Sequence, residues 1–216
     1  MNDSKKIFRP SRDSIFIIKS GDTHHIISEN YAYKTESYYS ILQHEIEGKS
    51  VKPSSIDILD AYIVPLCLEK AKLNKIPTCQ WGISNGYTPL PAIMYGLNYF
   101  STTSEFSIVY NAKKAEEARK HITNIGKYPF CYQKLNNAAT VHSCVGIFGQ
   151  TTNSIPSVIN LVKQIYDTFT IPLITITYVK DKKNYLLSSL SPVKYSNLLK
   201  DERKLLTSYI NNQETI

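Results

Sequence analysis

Residues 171–190 constrain the fold most, because they predict two neighbouring strands joined by a short polar turn. The segment "IPLITITYV" is rich in β-branched and apolar residues, and "YLLSSL" follows it after the lysine-rich stretch "KDKKN". Two such runs with so few residues between them pair as an antiparallel hairpin. A hairpin here argues against a purely parallel, doubly wound sheet.

The rest of the chain alternates between strand and helix patterns. Strand patterns occur at 14–20, 24–33, 76–83, 92–97, 106–110, 128–135 and 140–148, and helix patterns at 35–49, 56–75, 112–125, 154–169 and 197–210. Thr35, Asn111 and Ser154 are the expected N-caps, and Pro65 predicts a kink or a new helix start. This alternation predicts an α+β fold, in which antiparallel sheets are covered by helices.

Composition indicates a globular chain of 216 residues with 42% apolar residues, enough for a sizeable core. No apolar run reaches the roughly 18 residues of a membrane span, and residues 1–13 are too polar for a secretory signal. We therefore expect a cytoplasmic protein without a membrane partner. The four cysteines form no CxxC pair and are expected to be buried free thiols.

The net charge of +7 is unevenly distributed along the chain. Basic and acidic residues balance over 1–110, whereas residues 111–200 hold twelve basic and four acidic residues. Such an excess favours an anionic partner, namely a nucleotide, a nucleic acid or an acidic protein. Lysines scattered over solvated faces are the alternative, and the lack of a tight basic run favours it.

Common catalytic patterns are missing from the sequence or are broken. "GISNG" at 82–86 matches the G-x-S-x-G nucleophile pattern, but the two prolines that follow in "YTPLP" prevent the helix that this pattern needs, so we interpret it as a turn. His24 and His25 are adjacent on a strand and point to opposite faces, and the other histidines stand alone in sequence. No P-loop or dinucleotide-binding glycine pattern occurs.

Read in order, the segments resemble RimK-type ATP-grasp ligases. The stretch "SSIDILDAYIVPLCLEKAKLNKIPTCQW" resembles the linker of that family, and "PLPAIMYGL", "FSIVYNAKKAEEARKHI" and "YPFCYQKL" resemble its first nucleotide-binding subdomain. Residues 158–193 resemble its final helix, strand and hairpin. The stretches "YAYKTESYYSILQHEIEGKSVKPSSIDILD", "IFGQTTNSIPSVINLVKQIYDTFTIPLITITYV" and "YLLSSLSP" carry a second, overlapping resemblance, to the RimK-like N-terminal domain that precedes some ATP-grasp modules.

The resemblance implies an ATP-grasp-like arrangement of two small mixed α/β subdomains. We expect a reduced N-terminal α/β segment over 1–56, a linker helix and first subdomain over 57–135, and a second subdomain over 136–216. In the family these subdomains hold ATP and magnesium between them. Gln133, Lys134 and Leu135 lie on the hinge strand, and with Tyr95 they are the residues expected to contact a nucleotide if one still binds.

The chain departs from the family wherever the family's chemistry needs charge. Tyr95 stands where the family has a phosphate-binding lysine, Asp60-Ala61 replaces an Asp-Lys pair, and Gly96 alone remains of the glycine-rich loop. No Asp or Glu occurs between Glu117 and Asp167, or between Asp181 and Asp201, where the family's strands carry metal ligands. Three hydroxyl residues occupy that neighbourhood instead: Thr175, Ser188 and Ser189.

These departures predict a non-catalytic ATP-grasp-like protein with no catalytic residues and no metal site. Neutral hydroxyls bind magnesium too weakly to replace carboxylates, so Mg²⁺ is not expected and ATP stays an open candidate. The expected partner is a protein, either a carboxylate-amine ligase or its substrate.

Two alternatives remain open at this stage. One is an active ATP-dependent carboxylate-amine ligase with displaced ligands drawn from Glu117, Asp167 and Asp181. The other is a basic nucleic-acid binding module with three tyrosines as stacking surfaces, which ranks last because no nucleic-acid motif accompanies the charge. Those tyrosines are Tyr128, Tyr132 and Tyr178.

Overall fold

The N-terminal part of the structure is a small sheet with one covering helix. The structure, a computed structural model, describes residues 14–211. Strands β1 (Phe16–Ser20) and β2 (Thr23–Ile27) form an antiparallel hairpin, and β3 (Ser50–Lys52) pairs parallel to β2. Helix α1 (Glu36–Ile46) connects β2 to β3, and the predicted cap Thr35 accepts a hydrogen bond from the Tyr38 amide. Strand β3 was not predicted, because most of it falls in the gap between the helix patterns at 35–49 and 56–75.

Two consecutive helices lead from this sheet to the next. Helix α2 (Ser55–Tyr62) begins with a reciprocal capping box between Ser54 and Asp57. Helix α3 (Val64–Leu73) starts again one residue later, with Pro65 in its first turn, as the proline predicted. Lys70 on α3 binds the carboxylates of Asp57 and Asp60 on α2, at 2.7 Å and 2.9 Å.

The middle sheet contains four strands that pair entirely antiparallel. Its members are β4 (Trp81–Ser84), β5 (Ala92–Gly96), β6 (Phe106–Val109) and β7 (Phe130–Lys134), in the order β4-β7-β5-β6. Helix α4 (Ala112–Ile122) lies between β6 and β7 in sequence, and the side chain of the predicted cap Asn111 accepts a hydrogen bond from the Lys114 amide. "GISNG" runs from β4 into a turn, as expected.

The last sheet contains the predicted hairpin. Strands β8 (Thr140–Ile147), β9 (Leu173–Asp181) and β10 (Asn184–Ser191) pair antiparallel in the order β10-β9-β8. Helix α5 (Pro156–Phe169) precedes β9, and α6 (Lys200–Asn211) ends the described chain. The predicted cap Ser154 was wrong: Ile155 is the N-cap, and Pro156 starts the helix without a side-chain cap.

Shared cores join the three sheets. One buried cluster contains residues of β2, α1, α2, α3, α5, β9 and β10. Another connects α3 to both the middle and the last sheets through Val64, Leu68, Ile93, Tyr95 and Val179. The predicted α+β class with antiparallel sheets covered by helices is confirmed. Each sheet lies within one of the three predicted segments, while the division of the chain into domains stays a prediction.

None of the helices within residues 14–211 is long and apolar enough to cross a bilayer.

Candidate functional site

A buried cluster of hydroxyl groups lies at the junction of the middle and last sheets. Tyr95 extends from β5, and its hydroxyl lies 2.8 Å from Ser188 Oγ and 3.1 Å from Ser189 Oγ on β10. All three residues are at most 1% exposed. We call these three residues the hydroxyl cluster. The structure thus brings together the two serines and the tyrosine that the sequence placed at the family's charged positions.

A β-bulge makes this convergence possible. Leu187 pairs with Tyr178 and Ser189 with Thr177, so Ser188 is an extra residue on β10. On a regular strand, successive side chains point to opposite faces, and only one of two adjacent serines would reach the tyrosine. The bulge breaks this alternation, and both serines contact the same phenol. Sequence analysis missed this feature, because "LLSSLS" reads equally well as a regular strand.

Thr175 lies outside the hydroxyl cluster. Its hydroxyl donates to the carbonyl oxygen of Pro192 at 3.4 Å, and its partner across the hairpin is Ser191. Thr177 is the residue opposite Ser189. The hydroxyl of Thr177 lies 3.3 Å from Ser143 Oγ on β8, so Thr175, which the sequence grouped with the two serines, is not brought to them.

Gln133 connects the hinge strand β7 to the same cluster. Its Nε2 donates to the carbonyl oxygen of Ser188 at 2.7 Å, and the residue is fully buried. Its Oε1 is buried without a hydrogen-bond partner among the described residues. The side chain of Gln133 thus joins two sheets in the interior and is not exposed in a binding cleft.

Lys134 and Leu135 line a separate open pocket, which we call the hinge pocket. The cavity has a volume of about 270 Å³. Its walls are formed by Thr78, Cys79, Gln80, Lys134, Leu135, Asn136, Ala139, Val179, Asp181 and Leu186. The backbone amides of Lys134 and Leu135 already donate to the carbonyl oxygens of Gln80 and Pro91, at 2.8 Å and 2.9 Å. A nucleobase in this pocket would have to bind without those two donors.

Gly96 has a packing role in this structure. A Cβ atom at this position would lie 2.2 Å from Ser101 Oγ and 3.0 Å from the carbonyl oxygen of Ile122. The second contact is with backbone, which cannot rotate away. Strand β5 packs closely against the loop after it and against the end of α4. This packing explains why position 96 is a glycine, and no bound phosphate is needed to explain it.

Burial keeps the groups of this region neutral. Burial raises the pKa of Tyr95 well above its ordinary value, although the hydrogen bonds to Ser188 and Ser189 oppose the shift. The pKa of Cys79 in the hinge pocket rises to about 12, first through burial and then through the charge of Asp181. Tyr95 is therefore a neutral phenol at physiological pH.

The acidic residues of the displaced-ligand alternative do not form a metal site. Glu117 and Asp167 are exposed on α4 and α5, whereas Asp181 borders the hinge pocket and accepts a hydrogen bond from Asn136 at 2.5 Å. Across residues 14–211, no three His, Cys, Asp or Glu side chains are grouped so that they could hold an ion. The donor set around the hydroxyl cluster is neutral, so it does not fit Mg²⁺.

The tyrosines of the nucleic-acid alternative are not freely exposed. Tyr178 is 4% exposed and packs between His142 and Tyr185, with ring centres 5.7 Å and 5.8 Å away. Tyr128 and Tyr132 are half-buried.

Comparisons with known proteins identify the architecture. No family model matches the sequence, and no curated protein matches it. D-Alanine-D-alanine ligase from Helicobacter pylori has a TM-score of 0.59, 14% identity, and alignment over 81% of this chain and 65% of the ligase. A RimK-domain ATP-grasp protein from Sphaerobacter thermophilus has a TM-score of 0.56, 12% identity, and coverage of 80% and 73%. This chain has the ATP-grasp fold.

A third ATP-grasp structure is ligase PsnB, solved with a minimal precursor, Mg and ADP. It has a TM-score of 0.52 and 15% identity, and the alignment covers 79% of this chain and 65% of PsnB. The chain therefore spans slightly less than two thirds of the length of two of these ATP-grasp ligases. The resemblance read from the sequence is confirmed for the ATP-grasp fold.

Proposed function

We propose that this chain is a non-catalytic ATP-grasp-like protein that acts as an accessory partner in a carboxylate-amine ligase system. One observation carries the proposal. The hydroxyl cluster fills the junction of the two sheets at the positions where the resemblance puts a phosphate-binding lysine and metal-binding acids.

The chemistry of the cluster supports the non-catalytic part of the proposal. Acyl-phosphate formation from ATP needs cations on the phosphates and carboxylates on magnesium. Tyr95, Ser188 and Ser189 are neutral, buried and hydrogen-bonded to one another. Opening this junction for a triphosphate would break those bonds without supplying any charge in return.

The partner part of the proposal is supported by the retained framework and by a solved ATP-grasp structure. The structure of PsnB contains a minimal precursor in addition to Mg and ADP. A chain that keeps the same fold can keep a surface for a ligase or its substrate after the nucleotide chemistry is lost. We therefore place the partner in one of these two classes.

Nucleotide binding tests the first part directly. Titration calorimetry of the full chain with ATP, with and without excess Mg²⁺, is expected to show no magnesium-dependent binding below millimolar concentrations. The same preparation, incubated with ATP and mixed carboxylate and amine substrates, is expected to release no ADP. Micromolar binding that requires Mg²⁺, or ADP release that requires both substrates, would overturn the non-catalytic assignment.

Reconstitution tests the second part. A catalytically complete ATP-grasp ligase from the same organism would be assayed alone and with increasing amounts of this chain. We expect a saturable change in ligase rate and co-elution of the two proteins in size-exclusion chromatography. Unchanged rates and separate elution for every such ligase of that organism would refute the accessory role.

A further inference from the structure

Two histidines that are twenty residues apart in sequence lie side by side on the surface of the N-terminal sheet. His24 is on β2 and His44 is in the last turn of α1, and their ring centres are 5.4 Å apart. Both residues are half-buried. Sequence analysis considered them separately, since nothing in the spacing shows that α1 folds back over β2.

Hydrogen bonds set the protonation pattern of both rings. His44 Nδ1 lies 2.8 Å from the carbonyl oxygen of Ser40, and His24 Nδ1 lies 3.4 Å from that of Ser50. A carbonyl oxygen only accepts, so each Nδ1 must carry the proton. In the neutral ring, Nε2 then carries a free lone pair, which is the form in which imidazole binds metal ions.

Both Nε2 atoms are available to a ligand from solvent. Neither forms a hydrogen bond with any residue in the range 14–211, and neither is among the buried polar atoms that lack a partner. In metal sites, the histidine nitrogen that does not bind the ion commonly donates a hydrogen bond to a carbonyl oxygen, which orients the ring. Nδ1 of His24 and of His44 each makes such a contact.

The spacing of the rings matches a shared ion. Two imidazoles that bind one zinc ion tetrahedrally, through Zn–N bonds of about 2.0–2.1 Å, have ring centres roughly 5 Å apart. The observed 5.4 Å is close to this value, with an angle of 55° between the ring planes. Glu47 follows one turn later, but its carboxylate already binds Lys49 and Gln43, so we do not count it as a ligand.

We propose that His24 and His44 form a surface site for a borderline divalent transition-metal ion, such as Zn²⁺, Ni²⁺ or Cu²⁺, with water completing the coordination. Imidazole nitrogens favour these ions over Mg²⁺ and Ca²⁺. The ion would link β2 to α1 and so fasten the N-terminal sheet to its covering helix. This site is independent of the proposed accessory function.

Zinc titration of the full chain tests the site. Calorimetry with ZnCl₂ at pH 7.5, in a buffer without chelator, should show saturable binding of one ion per chain. His24→Ala and His44→Ala should each weaken binding at least tenfold. The matched control is the double variant His121→Ala/His142→Ala, which removes two exposed histidines and should bind zinc like the unmodified chain.

One further readout does not depend on variants that must fold. Substoichiometric Cu²⁺ should broaden the NMR signals of residues 23–25, 43–45 and 50 before any others. Zinc affinity that is unchanged in His24→Ala, or broadening that starts near another histidine, would overturn the proposal.

Discussion

At the scale of single residues, the proposed lack of catalysis depends most on Tyr95. A lysine at this position would bring a positive charge to the junction between the sheets, and that charge would need an anion. A phenol needs only hydrogen-bond partners, and two serine hydroxyls supply them. The buried phenol and the two serines therefore satisfy one another at this junction without a charged ligand.

Tyr95→Phe is expected to destabilise the protein by about 1–2 kcal/mol, because Ser188 loses a buried partner while Ser189 keeps only its 3.4 Å contact with the carbonyl oxygen of Thr103. Urea denaturation followed by circular dichroism measures the difference. Tyr110→Phe is the matched control, since Tyr110 is 60% exposed and its loss should cost less than about 0.5 kcal/mol. Equal stabilities of the two variants would show that the hydroxyl cluster contributes little.

At the scale of secondary-structure elements, Asp57 holds three parts of the chain together. Its carboxylate completes the capping box of α2, binds Lys70 of α3 at 2.7 Å, and accepts from Thr170 after α5 at 3.1 Å. Burial acts to lower the pKa of Lys70, but the hydrogen bonds that it donates to the carboxylates of Asp57 and Asp60 outweigh burial, and the net shift is upward. The helices that cover the core are thus oriented partly by one half-buried side chain.

Asp57→Ala is expected to lower the free energy of unfolding by about 2 kcal/mol, through loss of the cap together with two partners from other elements. Thermal denaturation of the two purified proteins measures it. Asp201→Ala removes an acid that pairs with Lys204 on the exposed face of α6, so it should change stability by less than about 0.5 kcal/mol. A loss as small as that of the control would mean that α2, α3 and α5 are oriented by apolar packing alone.

At the scale of the whole molecule, local patterns predicted most elements but not how they meet. The hairpin of β9 and β10 followed from β-branched runs around a polar turn, and the caps Thr35 and Asn111 from side-chain chemistry. The bulge at Ser188 lies where β10 contacts Tyr95 of another sheet, and the short β3 pairs with β2 from a distant part of the chain, so neither has a local signal. The neutral residues Tyr95, Ser188 and Ser189 could be named from the sequence, whereas their convergence in one buried cluster and the proximity of His24 to His44 could not.

Alkaline pH is expected to destabilise the whole molecule, because its interior holds thiol and phenol groups that are buried in their protonated, neutral form. Burial raises the pKa of Cys131 to about 12 from an ordinary value of 9.0, and burial likewise raises that of Tyr95. Between about pH 9 and pH 12, the Cys131 thiol is therefore ionised in the unfolded chain and still protonated in the folded chain. Stability from this group is therefore complete below about pH 9 and falls as the pH rises toward 12.

The contribution of one thiol can be isolated by comparing slopes. Denaturant-unfolding free energies would be measured from pH 8.0 to 10.5 for the unmodified chain and for Cys131→Ala. The variant is expected to be less stable at pH 8.0, because it leaves a small cavity, but its stability should fall less steeply with pH. The difference in slope should approach 1.4 kcal/mol per pH unit above pH 9. Identical slopes would show that the Cys131 thiol ionises over the same pH range in the folded and the unfolded chain. Solvent would then have to reach it through local opening of the sheet around β7.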